Sequence, residues 1–243
     1  MRLKTIPSFF ALGILILTCA GPVLAVSPEL DSFSGRSYGE LTAAWWQWQF
    51  SIPASENPRF AQGAIDCSRN QSGPIWFLAG ASTGVGAFVR SCEVPHQKAL
   101  FFPVLNATWV NEPGENLTVA EKRDILDGVI SDLRPGFLAD LGLPGSRACR
   151  LEVKVDGQIS TFSVPTVRVQ SPPFVVSSGP DPIFGTPNNV DPQAISDGFW
   201  VLLPPLTRGE HVLHIRGDYC EFETNETHPI FGGLEITYNL TVN

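Results

Sequence analysis

Hydrophobic and polar positions along this chain follow two different periods, and the places where the period changes mark its elements. Ser37-Tyr38-Gly39-Glu40 has the Ser-x-x-Glu form of a capping box, in which serine oxygen and glutamate carboxylate each satisfy an orphan N–H. It opens a helix running to about Ser51, before Pro53. At helical spacing Tyr38, Leu41, Trp45, Trp48 and Ile52 form one face, and Ala43, Trp46 and Phe50 widen it. Only Glu40, Ala44, Gln47 and Ser51 remain for the other side, so the helix is predicted to be mostly buried against a large apolar surface.

From Pro74 to Leu105 short apolar runs, Ile75-Trp76-Phe77-Leu78 and Ala99-Leu100-Phe101-Phe102, are separated by Gly- and Ser-rich turns and suit strands buried on both faces. A second capping box, Thr118-Val119-Ala120-Glu121, starts a helix to about Leu133, with Ile125, Leu126, Val129, Ile130 and Leu133 on one side and Arg134-Pro135-Gly136 as its stop. Leu151 to Val155 and Ile159 to Val164 form a hairpin about Asp156-Gly157, a pair that favours positive φ. Ser171 to Asp197, rich in Pro, Gly and Asn, is predicted to be a long ordered loop, either a functional lid or a structural wrap. Phe199 to Leu203, His211 to Arg216 and Leu234 to Val242 supply further strands. In the last, Leu234, Ile236, Tyr238, Leu240 and Val242 face in and the residues between them face out. No internal repeat or low-complexity linker divides the chain.

The first residues add a compartment. Met1-Arg2-Leu3-Lys4, an apolar stretch from Phe9 to Leu17 and small residues to Ala25 read as a secretory signal peptide over 1–25, leaving one β-rich domain over 26–243. The apolar run is shorter than the roughly 20 residues a spanning helix needs, and no second span follows, so no transmembrane segment is expected after signal removal. The destination is therefore secreted or periplasmic. The formal net charge is −8, which disfavours nucleic acid as a partner. Charged residues make 16% of the chain against a typical ~25%, while 22 Gly and 21 Pro point to a turn-rich β fold with a real core.

Outside the cytoplasm the cysteines Cys67, Cys92, Cys149 and Cys220 are expected to be oxidised. Three connectivities are open in principle. Cys67–Cys92 with Cys149–Cys220 is favoured, because strand alternation turns both Cys149, with Leu151 and Val153, and Cys220, with Phe222, inward. The spacings do not fit zinc, and the reading needs no metal and no cofactor. The fold expected is α+β and mainly β: a disulfide-stapled, β-sandwich-like single domain with two packed helices.

Tyr38-Gly39-Glu40 with Trp45-Trp46-Gln47-Trp48 is followed by Gly73-Pro74-Ile75-Trp76-Phe77-Leu78-Ala79-Gly80, Leu100 to Asn106, Asp197 to Leu203, Gly209-Glu210-His211 and Tyr238-Asn239-Leu240-Thr241-Val242. This series resembles a family of secreted bacterial proteins with a Trp-Trp-Gln-Trp helix motif and a C-terminal Tyr-x-Leu-Thr-Val strand. The resemblance implies a secreted, full-length domain. It supplies no established activity and no catalytic residue.

Gly80-Ala81-Ser82-Thr83-Gly84 matches Gly-x-Ser-x-Gly, but Val85 to Arg90 reads as a strand where a nucleophile elbow needs a helix, so a hairpin turn is expected. His211 and His214 stand three apart on a strand and point to opposite faces; His211 is expected to be a hydrogen-bonded, half-buried histidine beside Leu213 and Ile215. Arg216-Gly217-Asp218 is expected to form the turn before Cys220. Glu221 and Glu223 share an outward face near Asp218 and Glu226, which reads first as a solvated edge. Of ten asparagines, Asn70, Asn106, Asn116, Asn225 and Asn239 begin Asn-x-Ser/Thr and are glycosylation candidates.

Aromatic platforms bind sugar faces. Trp45, Trp48 and Trp76 are assigned to the core; Trp109 first, then Trp46 and Trp200, are the expected exposed platforms, with Asn106 beside Trp109 as a site-lining amide. The function expected is a secreted, non-enzymatic binding or structural module with a glycan or cell-envelope ligand. The alternative is a secreted, polysaccharide-directed hydrolase using Glu40, Asp66, Glu221 or Glu223 around a cleft roofed by residues 171–197.

Overall fold

Ser37 and Glu40 make the predicted box: the Ser37 N–H donates to the Glu40 carboxylate over 2.8 Å and the Glu40 N–H donates to Ser37 Oγ over 3.3 Å. From it runs helix α1, Tyr38–Phe50, with Leu41, Trp45, Trp48 and Phe50 buried as expected and Trp46 buried beside them. The computed structural model describes residues 35–81, 86–130, 146–159, 168–221 and 233–243. The leader 1–25, Ser82 to Gly84, the 134–136 stop, the hairpin beyond Ile159, and Phe222, Glu223, Asn225, Glu226 and His228 lie outside the described residues, as does the side chain of Glu221.

The strands are β1 (Gly63–Ala64), β2 (Ile75–Phe77), β3 (Gly86–Val94), β4 (Ala99–Trp109), β5 (Ser146–Val155), β6 (Gln158–Ile159), β7 (Arg168–Gln170), β8 (Phe174–Ser177), β9 (Val190–Leu203), β10 (Gly209–Glu221) and β11 (Gly233–Val242). Helix α2, Val119–Ile130, follows β4, and its capping box is closed by Thr118 and Glu121. One sheet has the order β1-β3-β11-β10-β5-β6; the other has the order β2-β4-β9-β7, with β8 paired to β9. Both mix parallel and antiparallel pairs: β3 lies parallel to β11 and β2 parallel to β4.

The two sheets pack over one apolar core, in which Phe88, Leu213, Ile215, Ile236 and Leu240 meet Leu100, Phe102, Val104, Phe199 and Val201. The second sheet turns its other face to α1, where Phe101, Trp200 and Leu202 meet Trp45, Trp46 and Trp48. That layering explains the two sequence patterns. The β4 and β9 strands are covered on both sides and read as continuous apolar runs, whereas β11 has one solvated face and alternates cleanly. The molecule is mainly β with two packed helices and two disulfides, Cys67–Cys92 and Cys149–Cys220, at Cα separations of 5.8 and 5.7 Å.

Two local expectations are corrected. The segment from Ser171 to Asp197 is not one loop: β8 and the first half of β9 lie inside it, and only residues 178–189 lie between them. Its prolines are tolerated because Pro172 and Pro173 precede β8 and Pro192 sits in a register shift opposite Val175, where the ladder asks for no donor. Arg216-Gly217-Asp218 is no turn either, since β10 runs through it with a bulge only after Asp218. Gly217 is there because β10 crosses β4 closely; a Cβ would come within 2.6 Å of both the Val104 carbonyl and the Leu105 side chain.

Candidate functional site

Asp197 is the one charge, fully buried, in the stretch Ala194 to Leu203 of β9, whose remaining residues are apolar apart from Ser196. Its direct cross-strand partner on β7 is Gln170, and Arg168 lies two residues earlier on the same strand. Arg168 donates from Nε over 3.1 Å and from Nη2 over 2.6 Å to the two Asp197 oxygens, a bidentate clamp, while Gln170 Nε2 adds a 3.0 Å bond. The same Arg168 Nη2 reaches Asp127 of α2 at 2.9 Å. Arg123, one turn earlier on α2, donates to the Gln170 side-chain oxygen at 2.9 Å and to the Ser171 carbonyl at 2.8 Å. These groups, with Asp124, line an open cleft of about 440 Å³ between α2, β7 and β9.

Helix α2 is held in place by a second ion pair. Lys122 donates to Asp191 over 2.6 Å and to the Gln193 carbonyl over 3.0 Å, and Asp191 also accepts from the N–H groups of Asn111 and Gln193. Burial works to raise the Asp191 pKa, but the Lys122 bond and the two N–H donors outweigh it and hold the carboxyl below its ordinary value. Burial likewise works against the charge of Arg168, and the Asp197 and Asp127 carboxylates overcome it, raising the pKa. Tyr219 on β10 lies near enough to feel Asp197; burial first, then that negative charge, pushes its phenol up. The cleft is thus buried at its floor, where Asp197 is fully covered, and open at its mouth, where the Asp127 side chain is partly exposed. Among the described residues two guanidiniums, three carboxylates and one amide line it.

The expected site residues do not assemble there. Trp46 and Trp200 are not platforms, being 2% and 0% exposed: Trp46 packs edge-on to Trp45, and Trp200 stacks on Phe101 and meets Trp45. Both belong to the layer between α1 and the second sheet, which needs bulky apolar surface on both sides. Trp109 and Asn106 are half-buried on β4, but they are an odd number of residues apart in a stretch of continuous register, so they point to opposite faces. Trp109 shares its face with Ala107, the partner of Asp197; Asn106 pairs with Gly198 on the α1 side. Trp109 Nε1 and Asn106 Nδ2 are both buried without a hydrogen-bond partner.

The carboxylates named for a hydrolase are dispersed where they are described. Glu40 is spent on its capping box, and the Ser37 N–H and hydroxyl lower its pKa; Asp66 is lowered in the same way by the Ser68 hydroxyl and N–H. Asp218 is buried against Arg150 and Arg216. The histidines take opposite faces as expected: His211 bonds Asp156 and the Thr207 carbonyl, and His214 bonds Glu235. Among the described residues no three His, Cys, Asp or Glu side chains gather as a metal set. Of the sequons, Asn70, Asn116 and Asn239 are exposed, whereas the Asn106 amide nitrogen is buried mid-strand and is closed to glycosylation in the folded chain. No described helix is long and apolar enough to cross a membrane.

The residues that do converge carried one legible signal, a buried aspartate within the doubly covered half of β9. The groups around it come from β7 (Arg168) and from α2 (Arg123 and Asp127), and nothing in the local sequence ties them to it. No family model matches the chain, and no curated protein or solved structure matches it either.

Proposed function

We propose that this chain is an extracytoplasmic, non-catalytic binding module, and that the cleft between α2, β7 and β9 takes a polyhydroxylated ligand such as a glycan of the cell envelope. The observation that carries this reading is the buried Asp197 clamped by Arg168 and Gln170, with Arg123 and Asp127 fixed around it. Planar carboxylate, amide and guanidinium groups held in one orientation offer paired donors and acceptors that match vicinal hydroxyls, at little entropic cost. Among the described lining residues the Asp197 and Asp127 carboxylates are both held in ion pairs with Arg168, which favours a fixed binding role over nucleophilic attack. Two disulfides suit an oxidising compartment.

A glycan array followed by calorimetry on the full chain tests the proposal. Saturable binding of an oligosaccharide that Arg123→Ala weakens tenfold or more, with an unchanged circular dichroism spectrum, supports it. Binding to no carbohydrate, or binding indifferent to Arg123, sinks it. Release of reducing ends from a bound oligosaccharide would move the chain to the hydrolase reading.

A further inference from the structure

A second cluster lies beside α1, where Arg59 meets Trp46 and Phe184 of the loop 178–189 packs on Trp46 and Phe50. Two arginines stand side by side there without a carboxylate partner among the described residues. Arg90 is fully buried between the rings of Phe88 and Tyr238, but it is saturated by neutral acceptors: the carbonyls of Arg59, Ala61, Ala79 and Gly80 and the Tyr238 hydroxyl, at 2.8–3.1 Å. Arg59 has no such set. Its guanidinium carbon sits 5.9 Å from the Trp46 ring centroid, and its Nη1 is buried with no hydrogen-bond partner. Burial and the neighbouring Arg90 charge bring its pKa down to about 10.

The groups facing this cation are unpartnered too. Trp46 Nε1 is buried and unbonded, although the neighbouring Trp45 and Trp48 indoles find the Leu78 and Arg69 carbonyls. Gln49 is 0% exposed and both its amide oxygen and its amide nitrogen lack partners. At about 100° per residue Gln49 falls between the rows of Trp45 and Trp46, one turn on. Asn57 ties that corner shut by donating to the Gln49 carbonyl and accepting from the Arg59 N–H. Phe184 covers it from outside, edge-on to Trp46 and Phe50 and 39% exposed.

Buried polar groups are almost always satisfied, so the unbonded Arg59 Nη1, Trp46 Nε1 and Gln49 side-chain amide on this stretch call for a partner. We propose that this corner is a binding site for a small organic carboxylate. Arg59 Nη1, Trp46 Nε1 and Gln49 Nε2 donate to its oxygens, and the rings of Phe50 and Phe184 flank its apolar body. Phe184, on the loop anchored by Asp181 to the N–H groups of Ala54 and Ser55, is the door. The site is separate from the Asp197 cleft and does not depend on the reading of that cleft.

Calorimetry and thermal shift on the full chain with benzoate, and in parallel with inorganic phosphate, decide the matter. Benzoate is expected to bind at one equivalent and to raise Tm. Trp46→Phe, which keeps the ring and loses the N–H, and Gln49→Met, which keeps the shape, each weaken it about tenfold or more, as loss of one charge-assisted hydrogen bond requires. Gln49→Met alone serves if Trp46→Phe does not fold. No binding of benzoate, or benzoate binding unchanged in the folded variants, overturns the proposal. Phosphate binding that benzoate does not reproduce overturns the carboxylate assignment in favour of an inorganic oxyanion.

Discussion

Lys122 and Asp191 form an ion pair 2.6 Å long in which neither side chain is more than 2% exposed, and it joins α2 to the first half of β9. Removing one partner leaves the other as an unpaired buried charge, which costs about 3–5 kcal/mol, whereas replacing both by apolar groups of similar volume is near neutral. Lys122→Met is therefore expected to lower the free energy of unfolding by about that amount, and Lys122→Met with Asp191→Leu to recover only part of it, because the Asn111 and Gln193 N–H groups lose their acceptor. Urea titrations of the four-member cycle measure this directly; additive effects would show that the two residues act apart. The pair also sets an acid limit. The Asp191 pKa is lowered in the fold, so its contribution is fully present above the unfolded carboxyl value and is lost as pH falls through the folded one.

The opposite sign holds for His211. Its Nδ1 lies 2.8 Å from Asp156 and its Nε2 lies 2.9 Å from the Thr207 carbonyl, so both ring nitrogens face acceptors and the charged imidazolium satisfies both. The Asp156 bond first, with burial opposing, raises the His211 pKa. Stability from this contact is therefore complete below the unfolded value of about 6.5 and is lost as pH rises through the folded value. The Tm difference between the native chain and His211→Phe is expected to be largest at pH 6 and to shrink toward pH 9. A difference that grows over that range would show the ring to be neutral in the fold.

The fold was legible because its layering writes itself into the period of the chain. Both helix starts announce themselves as capping boxes at Ser37 and Thr118, and β11 alternates through five inward residues because only one of its faces is covered. The disulfide pairing followed from the same alternation. What periodicity could not report was whether Trp46 and Trp200 meet water, since a doubly covered strand and a broad helix face leave no polar side to compare. The Asp197 cleft was illegible for a different reason. Its residues come from β9, β7 and α2, and only the tertiary register Gln170↔Asp197 brings them together.

The disulfides are predicted to contribute unequally. Cys149–Cys220 closes a separation of 71 residues and Cys67–Cys92 one of 25. In the chain-entropy account these constrain the unfolded state by about 4.4 and about 3.5 kcal/mol. Cys149→Ala with Cys220→Ala should therefore destabilise somewhat more than Cys67→Ala with Cys92→Ala. Guanidinium titrations of the two double variants supply the comparison, and peptide mapping under non-reducing conditions that found a Cys67–Cys149 link would refute the pairing itself.

Two glycines offer a matched test of how closely the sheets approach. A Cβ at Gly217 would lie 2.6 Å from the Val104 carbonyl oxygen, a backbone atom that cannot swing aside, so Gly217→Ala must push β10 away from β4. Strain of that kind typically costs about 1–3 kcal/mol. Gly128 lies within α2, and a Cβ there meets nothing within 4 Å. At such a helical position alanine loses less conformational freedom on folding than glycine, and Gly128→Ala is expected to stabilise by about 0.5–1 kcal/mol. The pair separates packing from backbone entropy, because the chemical change is the same and only the surroundings differ. Thermal unfolding of both variants should move Tm in opposite directions. If Gly217→Ala proved neutral, the close crossing of β10 over β4, on which the joining of the two sheets at that corner rests, would have to be abandoned.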